Sequence, residues 1–456
     1  MSRPLLLQAP TLQPIASGAR SRLDVTAYLT LWIVLLYGIS ARQVVPGFGA
    51  IGAPAMLLVL PAFLIWAAGW ILPDSGLSRR RNPIRAALLT YFAYQIFSFA
   101  VASSRSLTPL ETTGSIRALL TATAMAGVGL LVTDGVTQLA RLTTLLRRLV
   151  HAVTFVSILG LIQFFTRQSL QFSVPGLQWN QGAAMGLAGR GEFVRPPAMM
   201  LNSLEFSVVT GALLPLAIHF ALYSETVTQR RRFAVAAALI ALATPLSVSR
   251  SGVVSLIVAL LVLFLGWRGR RLVNGLLAVA IAVPVLWATI PGIVGTFIGL
   301  FTNTDDDISI QARTRRIPRV MELVRERPWL GLGNGTWSRE DYFLLDNEVY
   351  VTTLEMGVIG ITLTILLLGS AVVVALCVRG LPGVDDNTRH LALTLGASVA
   401  GLSVSLATFD AFHYRILTGT LFLLIGATGS LWHLHRGSHD LVIDRLHRLR
   451  HRAYRQ

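Results

Sequence analysis

The chain has no lysine: all 39 of its basic residues are arginine. Codon usage in a GC-rich genome explains that more simply than a need for guanidinium forks, which applies at a few positions at most. It has one cysteine, Cys377, inside an apolar run. An intramolecular disulfide and a cysteine-based metal site are therefore excluded. Charge is scarce. Only 13% of the 456 residues are charged, against about 25% in soluble domains. With 53% hydrophobic residues and a mean hydropathy of +0.63, this excludes an ordinary soluble protein. The net charge of +17 would point a soluble chain to nucleic acid; here membrane topology accounts for it and no nucleic-acid partner is expected. No small-residue cleavage site follows the first apolar run, so that run is expected to be a retained span rather than a signal peptide. No internal repeat is evident.

What is present is a series of apolar runs of about 20 residues, the length that crosses a hydrocarbon core. Twelve spans are expected, near 25–41, 53–72, 86–103, 115–133, 149–166, 204–223, 233–248, 251–267, 273–291, 350–378, 391–409 and 415–434. The predicted fold class is all-α: a polytopic membrane protein of about 12 helices with one large helical loop. The expected organisation is a cytoplasmic segment over 1–24, spans over 25–166, a loop over 167–203, spans over 204–291, the large loop over 292–349, spans over 350–434 and a basic tail over 435–456. Alternate connections divide the arginines 24 to 14, Arg117 falling at a span boundary. The connections of the richer set carry eight acids against their 24 arginines, whereas the large loop carries eight acids against seven. The positive-inside rule then places both termini in the cytoplasm and the large loop outside. The tail, with Leu441, Ile443, Leu446 and Leu449 between basic residues, has the spacing of an interfacial helix.

Polar groups gather at the outer connections. From Thr296 to Asp346, seven arginines accompany eight carboxylates, in the kind of long loop that is usually functional. Ser309 is expected to cap a helix there, with Pro318 near an early turn. Pro328 to Gly335 then reads as a structural turn; no strand precedes it as a phosphate cradle would need. Asp346 sits where the chain re-enters the membrane, beside Asn347 and Glu348. A carboxylate there can act as a general base or as a helix N-cap. Gly357 and Gly360 have the spacing of close helix packing. Earlier in the chain, Arg195 precedes two prolines that stiffen the approach, and it is expected to contact a phosphate or carboxylate. Asn202 and Glu205 stand at the mouth of the next span. Arg250, in the short Ser249-Arg250-Ser251-Gly252 turn, suits either an anion contact or a tie between helices. No ligand cluster has credible metal spacing, and no cofactor is expected.

Taken in order, these residues resemble the O-antigen ligase and polymerase superfamily of bacterial membrane glycosyltransferases. The family pattern of His, then Asn, Ser or Gln, nine residues and Gly-x-x-Gly is matched by Asn347, Gly357 and Gly360, with Asp346 at the place of the histidine. Its Ser-x-x-x-Arg followed by Pro-x-x-Gly-x-Gly is matched by Ser309, Arg313, Pro328, Gly331 and Gly333. An arginine before a middle span is matched by Arg195, and the Ser-Arg turn by Ser249-Arg250. At Asn202 related sequences often carry histidine. The resemblance covers most of residues 150–410.

The resemblance implies a GT-C-like fold and a donor glycan linked to polyprenyl diphosphate. It also implies a sugar or lipid-glycan acceptor at the outer face of the cytoplasmic membrane, and a role in surface polysaccharide synthesis beside other assembly proteins. Arg195 and Arg313 would act on the diphosphate with Arg250, and Asp346 would activate the acceptor hydroxyl. Asn347, Glu205 and Asn202 would line the substrate site. Transfer would invert the anomeric carbon without a metal. Polymerase and ligase both remain open. The alternative from another class is a transporter or flippase of lipid-linked glycan, or of a small anion; the scarcity of charge within the spans argues for the interfacial enzyme.

Overall fold

A computed structural model describes residues 24–72, 75–180, 187–190, 192–302, 308–338, 342–343 and 345–453. The expected cytoplasmic segment lies outside them except for Asp24, as do the acids at 305–307, 340 and 341. The chain is an all-α polytopic membrane protein. Its helices are α1 (Val25–Gly38), α2 (Pro54–Val59), α3 (Ala62–Ile71), α4 (Pro83–Ser103) and α5 (Pro109–Gly135). Then come α6 (Leu139–Thr166), α7 (Ser203–Tyr223), α8 (Val227–Leu246), α9 (Arg250–Gly266) and α10 (Arg270–Thr289). The last are α11 (Ile293–Thr302), α12 (Ile308–Glu326), α13 (Glu348–Gly380), α14 (Asp386–Val404) and α15 (Arg415–Ala453).

Among the described residues, nine stretches are long and apolar enough to cross a membrane, and α1 and α9 are shorter apolar helices. Helix α8 begins with three arginines, Arg230 to Arg232. Each expected span falls on one of these elements. The second is broken, because Pro61 has no N–H to continue the ladder, leaving α2 and α3.

Side-chain caps set the starts: Asn82 before Pro83, a Thr108–Glu111 capping box before α5, Asn202 before α7, Asn347 before α13 and Asp385 before α14. Each satisfies amide groups that have no partner inside the helix.

Helices α5, α7, α14 and α15 form the interior. Backbones approach closely where side chains vanish: a Cβ on Gly426 would lie 2.5 Å from the carbonyl oxygen of Gly129. Two short antiparallel pairs, β1 (Gln43–Val44) with β2 (Gln178–Trp179) and β3 (Ala188–Arg190) with β4 (Phe193–Arg195), fasten the connections at one face.

Three local expectations are corrected. Helix α12 starts at Ile308, so Ser309 lies in its first turn and is not the cap. Pro318 is in the interior of that helix, not near its start. The tail is helical to Ala453 as a direct continuation of the last span, not a separate helix.

Candidate active site at one membrane face

The starts of α7, α9, α13 and α15 meet at the face that carries the β-pairs. Helix starts expose amide groups and a positive partial charge. That alone favours an anion there, and arginines add to it.

Arg195 ends β4. Its Nε donates to the carbonyl of Ser247 over 3.5 Å, so it reaches the turn that leads into Arg250 at the start of α9. The two sequence-predicted arginines are thereby brought to one turn. The turn is strained: Val248 has φ of +49°, rare for a β-branched residue. Its backbone is fixed by hydrogen bonds donated by Ser247 N to the Thr244 carbonyl and by Val248 N to the Pro245 carbonyl. The other side of the Arg195 loop is held by Gln163. Its Oε1 accepts from Ala198 N at 2.8 Å, where Ala198 has φ of +50°. Arg313 lies on α12, and its side chain is outside the described residues.

Asn202 caps α7 through Glu205 N at 2.9 Å and donates to Tyr414 Oη at 2.8 Å. Glu205 is fully buried. One carboxylate oxygen accepts from Leu201 N at 2.9 Å. The other accepts from Ile416 N and Leu417 N at 2.9 and 3.2 Å. It therefore serves as the acceptor for the first turn of α15, a structural position. Removing it would leave buried amides without acceptors, each costing about 1–3 kcal/mol. Glu205→Ala should cost on the order of 3 kcal/mol in unfolding measurements. Glu205→Gln should cost less but not nothing, because its single oxygen can serve only one of the two sets of amides and its NH2 faces the other. Activity per folded molecule should be kept. A Gln variant that folds but loses activity would make Glu205 a substrate ligand instead.

Asn347 caps α13 through Val349 N at 3.0 Å and donates to the Ala407 carbonyl at 3.0 Å. Glu348, which follows it, is buried. It accepts from Thr352 Oγ1 at 2.9 Å and from Phe412 N at 3.0 Å. Asn347 and Glu348 thus stitch α13 to the 407–412 segment, and Tyr414 carries the connection on to Asn202. Glu355, two turns further along α13, accepts from Trp337 N at 2.9 Å.

Asp346 differs from these carboxylates. Glu111, Glu205, Glu348, Glu355 and Asp410 are all buried, while Asp346 is half-buried and reaches solvent. It is held between a buried Leu345 and the capping Asn347. An accessible carboxylate beside a helix start is suited to proton transfer.

The loop behind Asp346 is docked by glycines. Gly357 interrupts α13 with φ of +66° and ψ of −171°. The Pro328–Gly335 turn fills the break. Val358 N donates to the Pro328 carbonyl at 2.8 Å, Leu332 N to Leu354 at 2.9 Å and Gly333 N to Glu355 at 2.7 Å. A Cβ at Gly357 would overlap the Trp329 carbonyl, and one at Gly333 would overlap Ala102. The turn reaches α4 as well, where Ser98 Oγ accepts from Asn334 N at 2.9 Å. The turn is structural, as its sequence suggested.

Residues not singled out as ligands also belong to this face. Arg42 donates to the Leu201 carbonyl at 2.9 Å, and burial lowers its guanidinium pKa from the usual value. Arg415 donates to the Ala41 carbonyl at 3.2 Å. The Arg105–Glu111 ion pair, at 2.6 Å, braces the start of α5. The signal for Arg42 and Arg415 was their place at span ends; nothing local distinguishes them from lipid-facing anchors. Among the described residues no group of three or more His, Cys, Asp or Glu could hold a metal ion.

The O-antigen ligase family model matches residues 235–365. The matched stretch runs from within α8 into α13. It contains the Ser247–Arg250 turn, α12, the Pro328–Gly335 turn and Asp346 to Gly360; Arg195, Asn202 and Glu205 precede it. Comparison with curated proteins returns no match.

Proposed function

We propose, from the match of residues 235–365 to the O-antigen ligase family model, that this chain transfers or polymerises a polyprenyl-diphosphate-linked glycan. The reaction takes place at the outer face of the cytoplasmic membrane, with both termini inside. The observation that carries the reading is the meeting of Arg195 with the Ser247–Arg250 turn among converging helix starts.

The diphosphate binds at Arg195 and Arg250, with Arg313 contributing from α12. Charge-assisted guanidinium bonds hold phosphate oxygens well, and they tighten as negative charge builds on the leaving group. Asp346 takes the proton of an acceptor hydroxyl. The acceptor oxygen bonds to the anomeric carbon from the face opposite the leaving group. The bond from that carbon to the diphosphate oxygen breaks, and polyprenyl diphosphate departs with the electron pair. Configuration inverts. The arginines and helix starts supply the positive charge that a metal ion would otherwise bring, so transfer should survive EDTA. Asn202 and Asn347 border the acceptor side through Tyr414 and the 407–412 segment.

Purified protein with a polyprenyl-diphosphate glycan and its acceptor tests the reading. Arg195→Ala should lower the rate about 10²-fold, the effect of removing one donor from a developing oxyanion. Arg195→Lys should recover only part, because a point charge does not replace a fork. Equal rates for all three proteins would rule out diphosphate binding by Arg195.

A further inference from the structure

At the face opposite the β-pairs, several arginines are engaged within the fold. Arg79 donates to the carbonyls of Trp70 and Leu72, and Arg230 to that of Ser224. Both satisfy carbonyls at helix ends. Arg85 donates to Asp134 and joins α4 to α5. Arg147 and Arg232 differ. Neither forms a hydrogen bond or ion pair among the described residues, and Arg147 Nε is buried without a partner.

Their surroundings are specific. Arg147 stands one turn before His151 on the same face of α6. Its guanidinium carbon lies 5.5 Å from the centre of the Phe220 ring of α7. That ring is 5.2 Å from Phe233 of α8, and the His151 ring stacks on Phe233 at 5.1 Å. Phe220 and Phe233 are buried. Two aromatic rings thus join α6, α7 and α8 and carry Arg147 and His151 upon them. Arg232, beside Phe233 on α8, acts on His151 through its charge, as does Arg147.

No carboxylate answers these cations. Glu225, the acid of the α7–α8 connection, is exposed and pairs with neither. A half-buried guanidinium without an anion is costly. Guanidinium and imidazole N–H groups suit phosphate oxygens, so a phosphate would remove that cost. Beyond His151 the same face of α6 presents Phe155, Ile158 and Ile162, all exposed. Steps of three and four residues keep them in one row. From His151 to Ile162 the row runs about 16 Å, roughly half of a hydrocarbon core. A phosphate that carries acyl chains matches both the cations and the row; a free phosphate matches only the cations.

We propose that α6, α7 and α8 form a site for one anionic phospholipid of the leaflet opposite the β-pairs. Its phosphate sits at Arg147, Arg232 and His151, and one acyl chain lies along Phe155, Ile158 and Ile162. A basic membrane face attracts anionic lipid in general; the unpaired Arg147 over a buried ring fixes one position for it. The site is at the other face from Arg195 and Arg250, so it stands apart from the proposed glycan chemistry.

Native mass spectrometry of the full-length protein in detergent tests this, with phosphatidylglycerol and phosphatidylcholine of the same acyl chains added in equal amounts. Wild type should retain phosphatidylglycerol about tenfold better, a tenfold ratio of binding constants. Arg147→Gln/Arg232→Gln should lose most of that preference. Arg268→Gln/Arg270→Gln removes the same charge from the exposed α9–α10 connection and should keep it. Equal retention of the two lipids by wild type, or equal losses in the two double variants, would overturn the site and leave only a diffuse field of charge. Displacement of the lipid by inorganic phosphate would overturn the lipid assignment in favour of a soluble phosphate. Because Arg232 is exposed, Arg232→Gln alone should fold even where the double variant does not. It should lower the ratio, and an unchanged ratio would also overturn the site.

Discussion

Asp346→Asn should lower glycan transfer by about 10²–10⁴-fold, the usual contribution of a general base, while leaving donor binding and the melting transition nearly unchanged. Asparagine keeps the size and the hydrogen-bonding oxygen of the side chain but has no basic lone pair for the acceptor proton. The selection of Asp346 rests on its place in the family pattern and on its exposure. Glu205, Glu348 and Glu355 are buried and each accepts a hydrogen bond from a backbone amide, and Glu111 is paired with Arg105. Asp346 alone of this group stands half-exposed, at the start of a helix whose cap, Asn347, is tied to a second segment. Donor binding by isothermal titration, with turnover measured on the same preparation, separates the two effects. A variant that binds donor normally and turns over slowly is the expected result. One that turns over at the wild-type rate removes Asp346 from the chemistry.

Gly357→Ala should be at least as damaging, by a different route. Its φ of +66° with ψ of −171° lies in a region that is essentially glycine-only. Any Cβ would also meet the Trp329 carbonyl. Strain of about 1–3 kcal/mol is then joined by the loss of the bonds through which Pro328 and Leu332 dock on α13. The loop that leads to Asp346 would detach, so activity should fall to background even in protein that still folds. Gly369, in the same helix, has open space around its Cβ position. Gly369→Ala should be neutral, or stabilising by about 0.5–1 kcal/mol. Melting curves in detergent for the two alanine variants provide the comparison. Similar curves for both would mean that the break in α13 is not needed.

The same glycine marks the boundary of what the sequence makes legible. Apolar runs of membrane-spanning length were visible because hydropathy is a local property. The all-helical architecture follows from them, whereas the break at Pro61 within the expected span over 53–72 was not anticipated. Gly357 and Gly360 read equally well as packing glycines. Only the fold reveals that Gly357 lets a helix open to accept a turn some 25 residues upstream. Glu205 shows the same limit. A carboxylate at the mouth of a span looks like a ligand, and its acceptor role depends on amides at Ile416 and Leu417, far along the chain. Arg195 and Arg250 stood out through their placement beside prolines and in a short turn. Their common contact with the Ser247–Arg250 turn was not legible, since β4 and the start of α9 meet only through tertiary packing.

The most direct measurement is the state of lipid-linked glycan and surface polysaccharide in a strain lacking this gene, complemented with wild type, Arg195→Ala or Asp346→Asn. The account predicts that wild type restores surface polysaccharide and that both variants leave glycan stranded on the carrier. Single repeat units would identify a polymerase, and long chains a ligase. Wild-type glycan in both variant strains would contradict glycosyl transfer at this site.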